Sequence, residues 1–102
     1  MAEFIEAGKG NEIGEGELKA FDVKGTPIAV ANVRGSFHAF DDTCTHQQCS
    51  LAQGDLEGIT VTCPCHGSQF DVTTGSVLNP PAVRPVSTYG VRVEGDELQI
   101  EA

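Results

Sequence analysis

The chain has 102 residues and a mass of 10.7 kDa, so we expect residues 1–102 to form a single domain and a monomer. Its 15 acidic and six basic residues give a net charge of −9, and such a surface repels nucleic acid phosphates and anionic lipid headgroups. No window approaches 18 consecutive apolar residues, and the first residues lack the basic and apolar regions of a secretory signal. These features predict a cytoplasmic protein that binds neither nucleic acid nor membrane, with an acidic surface that would attract a basic patch on a protein partner.

The alternation of apolar and polar residues predicts short β-strands separated by turns, and no segment has a convincing helical period. The expected strands are 17–23, 28–33, 36–40, 59–63, 69–72, 76–78, 88–93 and 97–100. Segment 42–56 breaks this pattern, and Pro80 and Pro81 exclude a central strand because neither has an N–H donor. We therefore expect an all-β domain of eight to ten short strands, either a sandwich or a small barrel.

All four cysteines and two of the three histidines lie in two short segments. The first is CTHQQC at 44–49, and the second is CPCHGS at 63–68. In each, a histidine closely follows a cysteine, so a tight loop can direct both side chains to one metal centre. The two pairs are Cys44 with His46 and Cys63 with His66. The third histidine, His38, lies within an expected strand, and we interpret it as a surface residue.

Several kinds of site use these residue types. A structural zinc ion can bind two cysteines and two histidines, although zinc fingers place both histidines after both cysteines and on a helix. A scaffold of two disulfides would leave His46 and His66 unexplained and would need an oxidising compartment. A Cys–His nucleophile pair would be present twice, which a thiol enzyme does not need. A Rieske [2Fe-2S] centre needs two cysteine thiolates on one iron and two histidines on the other.

The two segments, with sixteen residues between His46 and Cys63, closely resemble the cluster-binding loops of the Rieske family. The proline-rich segment 79–85 resembles the loop that covers the cluster in that family, and segment 89–98 is also similar to family members. The resemblance implies an antiparallel β-sandwich or small barrel with an inserted cluster-binding subdomain of two loops. It also implies one [2Fe-2S] cluster per chain.

The resemblance assigns a role to each cysteine and to two histidines. Cys44 and Cys63 would bind the buried iron as thiolates, and His46 and His66 would bind the outer iron through Nδ1. Neutral imidazoles in place of thiolates raise the reduction potential above that of all-cysteine clusters. The remaining cysteines, Cys49 and Cys65, match a pair that forms a disulfide between the loops in the high-potential respiratory branch; the alternative is two buried thiols.

Four further residues are expected to surround the cluster. Gly67 would allow a tight turn. The Ser68 hydroxyl would donate a hydrogen bond to a bridging sulfide, unless it is a plain turn serine. Phe70 stands where the high-potential branch has a tyrosine that donates to a ligand sulfur, so we expect only a core aromatic there. Pro81 belongs to the covering loop.

The function implied by the resemblance is that of a soluble one-electron carrier, not a stand-alone enzyme. The chain resembles the Rieske-type ferredoxins that pass electrons from a flavin-dependent reductase to a terminal ring-hydroxylating oxygenase. One alternative is the electron-transfer subunit of a larger oxidoreductase, such as a nitrite reductase small subunit or a respiratory-type Rieske subunit lacking its anchor. An alternative of another class is a zinc-stabilised binding module.

Overall fold

The computed structural model describes residues 3–45, 48–65 and 67–101, and within these ranges it contains eleven strands and two 3-10 helices. The strands are β1 (Phe4–Lys9), β2 (Leu18–Val23), β3 (Thr26–Val33), β4 (Ser36–Asp41), β5 (Asp55–Glu57), β6 (Thr60–Thr62), β7 (Gln69–Asp71), β8 (Val77–Asn79), β9 (Thr88–Tyr89), β10 (Val91–Glu94) and β11 (Glu97–Glu101). The 3-10 helices are Gly10–Glu12 and Leu51–Gln53. The expected all-β class is confirmed, but the described residues form eleven strands instead of the expected eight to ten. Strands β1 and β5 were not expected, and the expected strand 88–93 is divided into β9 and β10, which belong to different sheets.

The strands form three antiparallel sheets. The first has the order β1-β11-β10, the second β2-β3-β4-β9 and the third β5-β6-β7-β8. The third sheet is a meander inserted between β4 and β9, and it carries the two cysteine-containing segments next to its strands. The sheet order therefore confirms the expected Rieske-like arrangement, in which an inserted subdomain follows strand β4.

Strand β3 is buried on both faces and separates two cores. Ile28 and Val30 pack with Leu98 and Ile100, so one face of the second sheet covers the first sheet. On the other face, the two intervening small residues pack against side chains from the inserted subdomain. These residues are Ala29 and Ala31 on β3, with Leu51, Val61 and Phe70 opposite them. Alanine at these positions lets the subdomain approach the backbone of β3 closely.

Two tight turns set the register of the second sheet. Lys24-Gly25 and Arg34-Gly35 all have positive φ, between 52° and 91°, as two-residue hairpin turns of type I′ require. The expected strands 17–23 and 28–33 leave four residues for the first turn, but it is shorter, because Thr26 and Pro27 pair with β2 as part of β3. In the described residues, no helix has the length and apolar character needed to span a membrane.

Candidate metal centre

Three loops meet beside the third sheet, and we name them by position. Loop 1 is 43–50 after β4, loop 2 is 63–68 between β6 and β7, and loop 3 is 79–85, which begins at the last residue of β8. His46, Gln47 and His66 lie outside the described residues, so the structure does not test the proposed histidine ligands. The described residues of the loops define how the two candidate cysteine ligands are held.

Asp42 anchors loop 1 where the chain leaves β4. Its N–H donates to the Pro27 carbonyl at 3.1 Å, and its carbonyl accepts from Leu51 N–H at 2.7 Å. The buried carboxylate accepts a further hydrogen bond from Ala52 N–H at 2.8 Å. Both ends of loop 1 are thus fixed to a single residue. Sequence reasoning did not identify this role, because an acidic residue at the end of a strand carries no distinctive local signal.

Loops 1 and 2 are each closed by a backbone hydrogen bond of the same kind. In loop 1, Cys44 N–H donates to the Cys49 carbonyl at 3.0 Å, and in loop 2, Cys63 N–H donates to the Ser68 carbonyl at 2.8 Å. In each case the donor is the first cysteine and the acceptor lies five residues later. Loop 2 has a second closing bond, from Gly67 N–H to the Cys63 carbonyl at 3.2 Å, and Gly67 adopts a φ of +79°. The two candidate ligands therefore occupy equivalent positions in two similar loops.

A disulfide between Cys49 and Cys65 joins loop 1 to loop 2, as expected from the resemblance. Their Cα atoms are 6.5 Å apart. The other two cysteines, Cys44 and Cys63, lie outside this disulfide and are each only 3% exposed. The sulfur atoms of Cys49, Cys63 and Cys65 all lie within 4.8 Å of one another. Because two of these three are bonded to each other, the group is a candidate ligand packed against a disulfide and not a three-thiolate site.

Loop 3 is tied to both other loops. The Ala82 N–H donates to the Ser68 hydroxyl oxygen at 3.0 Å, and both residues are buried. The Thr45 hydroxyl donates to the Arg84 carbonyl at 2.7 Å. Ser68 is therefore not a plain turn serine: its oxygen accepts from loop 3, and its own O–H proton remains available to a different acceptor. Sequence reasoning missed Thr45, whose partner lies 39 residues away.

The residues around the loops fall into buried and exposed sets. Phe70 is fully buried and packs in the core of the inserted subdomain, as expected for a core aromatic. Pro81 is exposed in loop 3, and its neighbour Val83 is 86% exposed. His38 lies within β4, paired with Ala31, and is half-buried, not a fully exposed surface residue.

Two ionisable groups outside the loops have shifted pKa values. Burial, followed by a 2.5 Å hydrogen bond to Asp41 and the charge of that carboxylate, raises the pKa of Tyr89 to about 12. For Asp71, burial raises the pKa, but hydrogen bonds from Thr73 and Thr74 and the charge of His38 outweigh it, so the net pKa is lowered. Asp41 also binds Ser87 N–H, so this carboxylate helps to hold the segment after loop 3 against β4.

The donor set fits an iron–sulfur centre, although a structural zinc site uses the same residue types. Two buried thiols and two imidazoles from matching loops are the ligands of a [2Fe-2S] cluster with one cysteine-bound and one histidine-bound iron. Cys44 and Cys63 are buried, and each histidine lies in the chain between the two residues whose backbone hydrogen bond closes its loop, which fits this division.

Comparison with known proteins decides the family. The Rieske [2Fe-2S] domain model matches residues 3–90. The chain belongs to the Rieske [2Fe-2S] domain family. A relative, the ferredoxin component of the naphthalene 1,2-dioxygenase system of Pseudomonas aeruginosa, is 38% identical over 90 residues, which are 88% of this chain and 86% of the relative.

Solved structures agree with this assignment. The ferredoxin of Sphingomonas yanoikuyae B1 is similar with a TM-score of 0.92 and 30% identity, covering 98% of this chain and 99% of that one. A chain from the complex of reduced oxygenase and oxidized ferredoxin in carbazole 1,9a-dioxygenase aligns with a TM-score of 0.90 and 31% identity, over 96% of this chain and 92% of that one. This Rieske protein therefore uses a [2Fe-2S] cluster to carry electrons and is an electron-transfer component, not a catalytic enzyme.

Proposed function

We propose that this Rieske protein is the ferredoxin component of a ring-hydroxylating dioxygenase system. It would accept one electron from a flavin-dependent reductase and pass it to a terminal oxygenase. The observation that carries the proposal is the match to dioxygenase ferredoxin components over most of the length of both chains. The carbazole dioxygenase complex supports an oxygenase as partner, because that structure pairs a ferredoxin with an oxygenase.

The proposed ligands are Cys44, Cys63, His46 and His66. When bound, the cluster supplies a one-electron redox centre whose potential is raised by its imidazole ligands. The protein holds Cys44 and Cys63 in two hydrogen-bonded loops and places the disulfide beside Cys63. It also buries both thiols, which keeps water away from the proposed thiolate ligands. As part of the same proposal, residues 1–102 act as one domain, a monomer and a cytoplasmic carrier.

The disulfide favours a second candidate function. The bonded Cys49–Cys65 pair, together with a serine at position 68, matches the high-potential respiratory branch of the family, in which the Rieske protein is a subunit of a larger complex. Phe70, in place of the tyrosine of that branch, argues against the respiratory function. A reduction potential near the upper end of the Rieske range, about +300 mV, would favour the respiratory function.

Metal and sulfide analysis tests the proposed centre. The purified protein should contain about two irons and two acid-labile sulfides per chain, with a red-brown colour and a Rieske-type EPR spectrum in the reduced state. His46→Ala and His66→Ala should abolish or strongly disturb that spectrum. His38→Ala is the matched control, because this histidine lies in β4 outside all three loops, and its spectrum should be unchanged. One zinc and no iron per chain would refute the iron–sulfur assignment.

Electron delivery tests the proposed partners. The reduced protein should be reoxidised by a ring-hydroxylating oxygenase in the presence of its aromatic substrate, and a flavin reductase with NADH should reduce it again. If the cluster forms but neither component of any tested dioxygenase system exchanges electrons with it, the proposed role in such a system is wrong.

A further inference from the structure

The ionisable residues of this chain are distributed very unevenly. None of the 15 acidic residues lies in loops 1, 2 or 3, and Arg84 is the only one of the six basic residues found there. The three loops therefore carry one positive charge, while the rest of the chain carries −10. We call the exposed surface of the described residues in these three loops the loop face.

The acidic residues nearest to the loops in the chain are mostly occupied by hydrogen bonds. Asp41 accepts from Tyr89, and the buried carboxylate of Asp42 accepts from Ala52 N–H. Asp55 is exposed and pairs with Thr62, immediately before loop 2, so it lies at the border of the loop face. A basic partner would therefore find its carboxylates around this face and not within it.

The loop face also presents apolar surface. Val83 is 86% exposed, the highest value among the large apolar residues that the structure describes, and it stands next to Arg84. The exposed Pro81 and Pro85 flank this pair. Hydrogen bonds from Ala82 and to the Arg84 carbonyl hold the loop to its neighbours. Because the segment is fixed at both positions, its exposed valine can be buried by a partner with little loss of conformational freedom.

Arg84 is available to bind a carboxylate. Among the described residues, Lys9, Lys19, Lys24 and Arg92 each form an ion pair with an acidic residue of this chain. Arg84 forms none in the described structure, and its side chain is exposed. A guanidinium group of this kind favours bidentate contact with a planar carboxylate.

We propose that the loop face docks an apolar redox-partner surface that carries a carboxylate opposite Arg84. This inference rests on the proposed function, since it places electron exchange at the loops that would hold the cluster. It assigns to the site of electron exchange a charge preference opposite to that of the whole protein. The net charge of −9 then acts at longer range, and contact at the cluster depends on Val83 and Arg84.

Small inorganic oxidants of known charge probe this face without an identified partner. The reduced holoprotein, with its cluster verified by visible spectrum, is mixed in a stopped-flow instrument with ferricyanide, which is anionic, or with hexaammineruthenium(III), which is cationic. Arg84→Glu changes the loop face by two charges. For a trivalent ion about 10 Å away at 10 mM ionic strength, this should slow ferricyanide about tenfold and accelerate hexaammineruthenium(III) by a similar factor.

Arg34→Glu is the matched control for charge. Arg34 is also exposed and forms no ion pair in the described structure, but it lies before β4, whereas loop 1 follows that strand. The six residues of β4 separate Arg34 from the start of loop 1 by about 20 Å. The control should change either rate by less than about twofold, because the Debye screening of bulk salt and the added distance reduce the effect. Equal effects of the two substitutions would show that only net charge matters and would overturn the proposal.

A third oxidant, tris(phenanthroline)cobalt(III), tests the apolar contact because its charge equals that of hexaammineruthenium(III) while its ligands are aromatic. Val83→Ser should slow this oxidant about threefold relative to hexaammineruthenium(III), since a contact of some tens of Å² of apolar surface is lost. Val93→Ser, at an exposed valine on β10, should leave the ratio unchanged. An unchanged ratio in Val83→Ser refutes the apolar contact. A chain that binds no cluster refutes the proposed function instead, and the initial spectrum distinguishes these results.

Discussion

Replacing Ser68 with alanine separates two roles of one hydroxyl group. The oxygen accepts the buried Ala82 N–H at 3.0 Å, so Ser68→Ala leaves that donor without its partner. An unsatisfied buried N–H costs about 1–3 kcal/mol, and we expect the free energy of unfolding to fall by this amount. The O–H proton, which does not take part in that bond, is proposed to donate to a cluster sulfide. A hydrogen bond to sulfur stabilises the reduced state, because that state carries the additional negative charge.

The same substitution should therefore lower the reduction potential. One net hydrogen bond contributes roughly 0.5–1.5 kcal/mol, which for a one-electron couple corresponds to about 20–65 mV. Protein-film voltammetry measures the potential, and denaturant-induced loss of the visible spectrum measures stability. Ser36→Ala, at an exposed serine of β4, should change neither quantity. A Ser68→Ala protein that is destabilised but keeps its potential within about 10 mV would show that the hydroxyl only joins loop 2 to loop 3.

Four further outcomes are expected. Phe70→Tyr should raise the potential by about 20–65 mV if its hydroxyl reaches a ligand sulfur, and an unchanged voltammogram would exclude that contact. Gly75→Ala should destabilise the protein by more than about 2 kcal/mol in denaturant unfolding. The φ of Gly75 is +82°, and the new Cβ would lie 2.1 Å from the Val86 carbonyl oxygen. Gly25→Ala, with φ +81° and open space around the new Cβ, should cost only the backbone strain. Cys65→Ser should reduce stability by about 3 kcal/mol and shorten the lifetime of the visible spectrum, since it opens a loop of sequence separation 16; equal lifetimes would mean that the disulfide does not protect the centre. Tyr89 is the only tyrosine and there is no tryptophan, so the absorbance of tyrosinate should titrate near pH 12 in the folded protein and near pH 10 in the unfolded protein. Because folding raises the pKa of Tyr89, its contribution to the free energy of unfolding is complete below pH 10 and disappears towards pH 12. A midpoint near pH 10 in the folded protein would contradict this prediction.

Local sequence signals predicted the hairpins but not the strands that depend on distant partners. The turns at Lys24-Gly25 and Arg34-Gly35 are visible because glycine accommodates positive φ. Strand β1 escaped prediction because its partner is the last strand, with Phe4 opposite Glu101. The three-residue strand β5 is too short to show alternation, and it forms because β6 supplies its hydrogen bonds.

In the candidate site, too, the features local in sequence were predicted and the contacts between distant residues were not. Spacing within the two segments indicated only a metal site, because tight loops place their ligands close together in sequence; the resemblance to Rieske loops then implied Cys44 and Cys63 as ligands and the Cys49–Cys65 disulfide. The hydrogen bonds from Thr45 to Arg84 and from Ala82 to Ser68 join positions 39 and 14 residues apart. A threonine or an alanine has many roles in proteins, so only the folded chain reveals which residues hold the three loops together.

The separation of charge from the loops also affects the potential of the proposed centre. A carboxylate about 10 Å from the cluster would interact with the transferred electron by about 0.4–1.7 kcal/mol at effective dielectric constants of 80 to 20. For a one-electron couple this lowers the potential by about 20–70 mV for each carboxylate. None of the 15 acidic residues lies in the three loops, so any carboxylate that acts on the centre belongs to a flanking segment, such as Asp42, two residues before Cys44. One distribution of residues can thus provide an acidic outer surface together with a loop face that accepts an apolar partner.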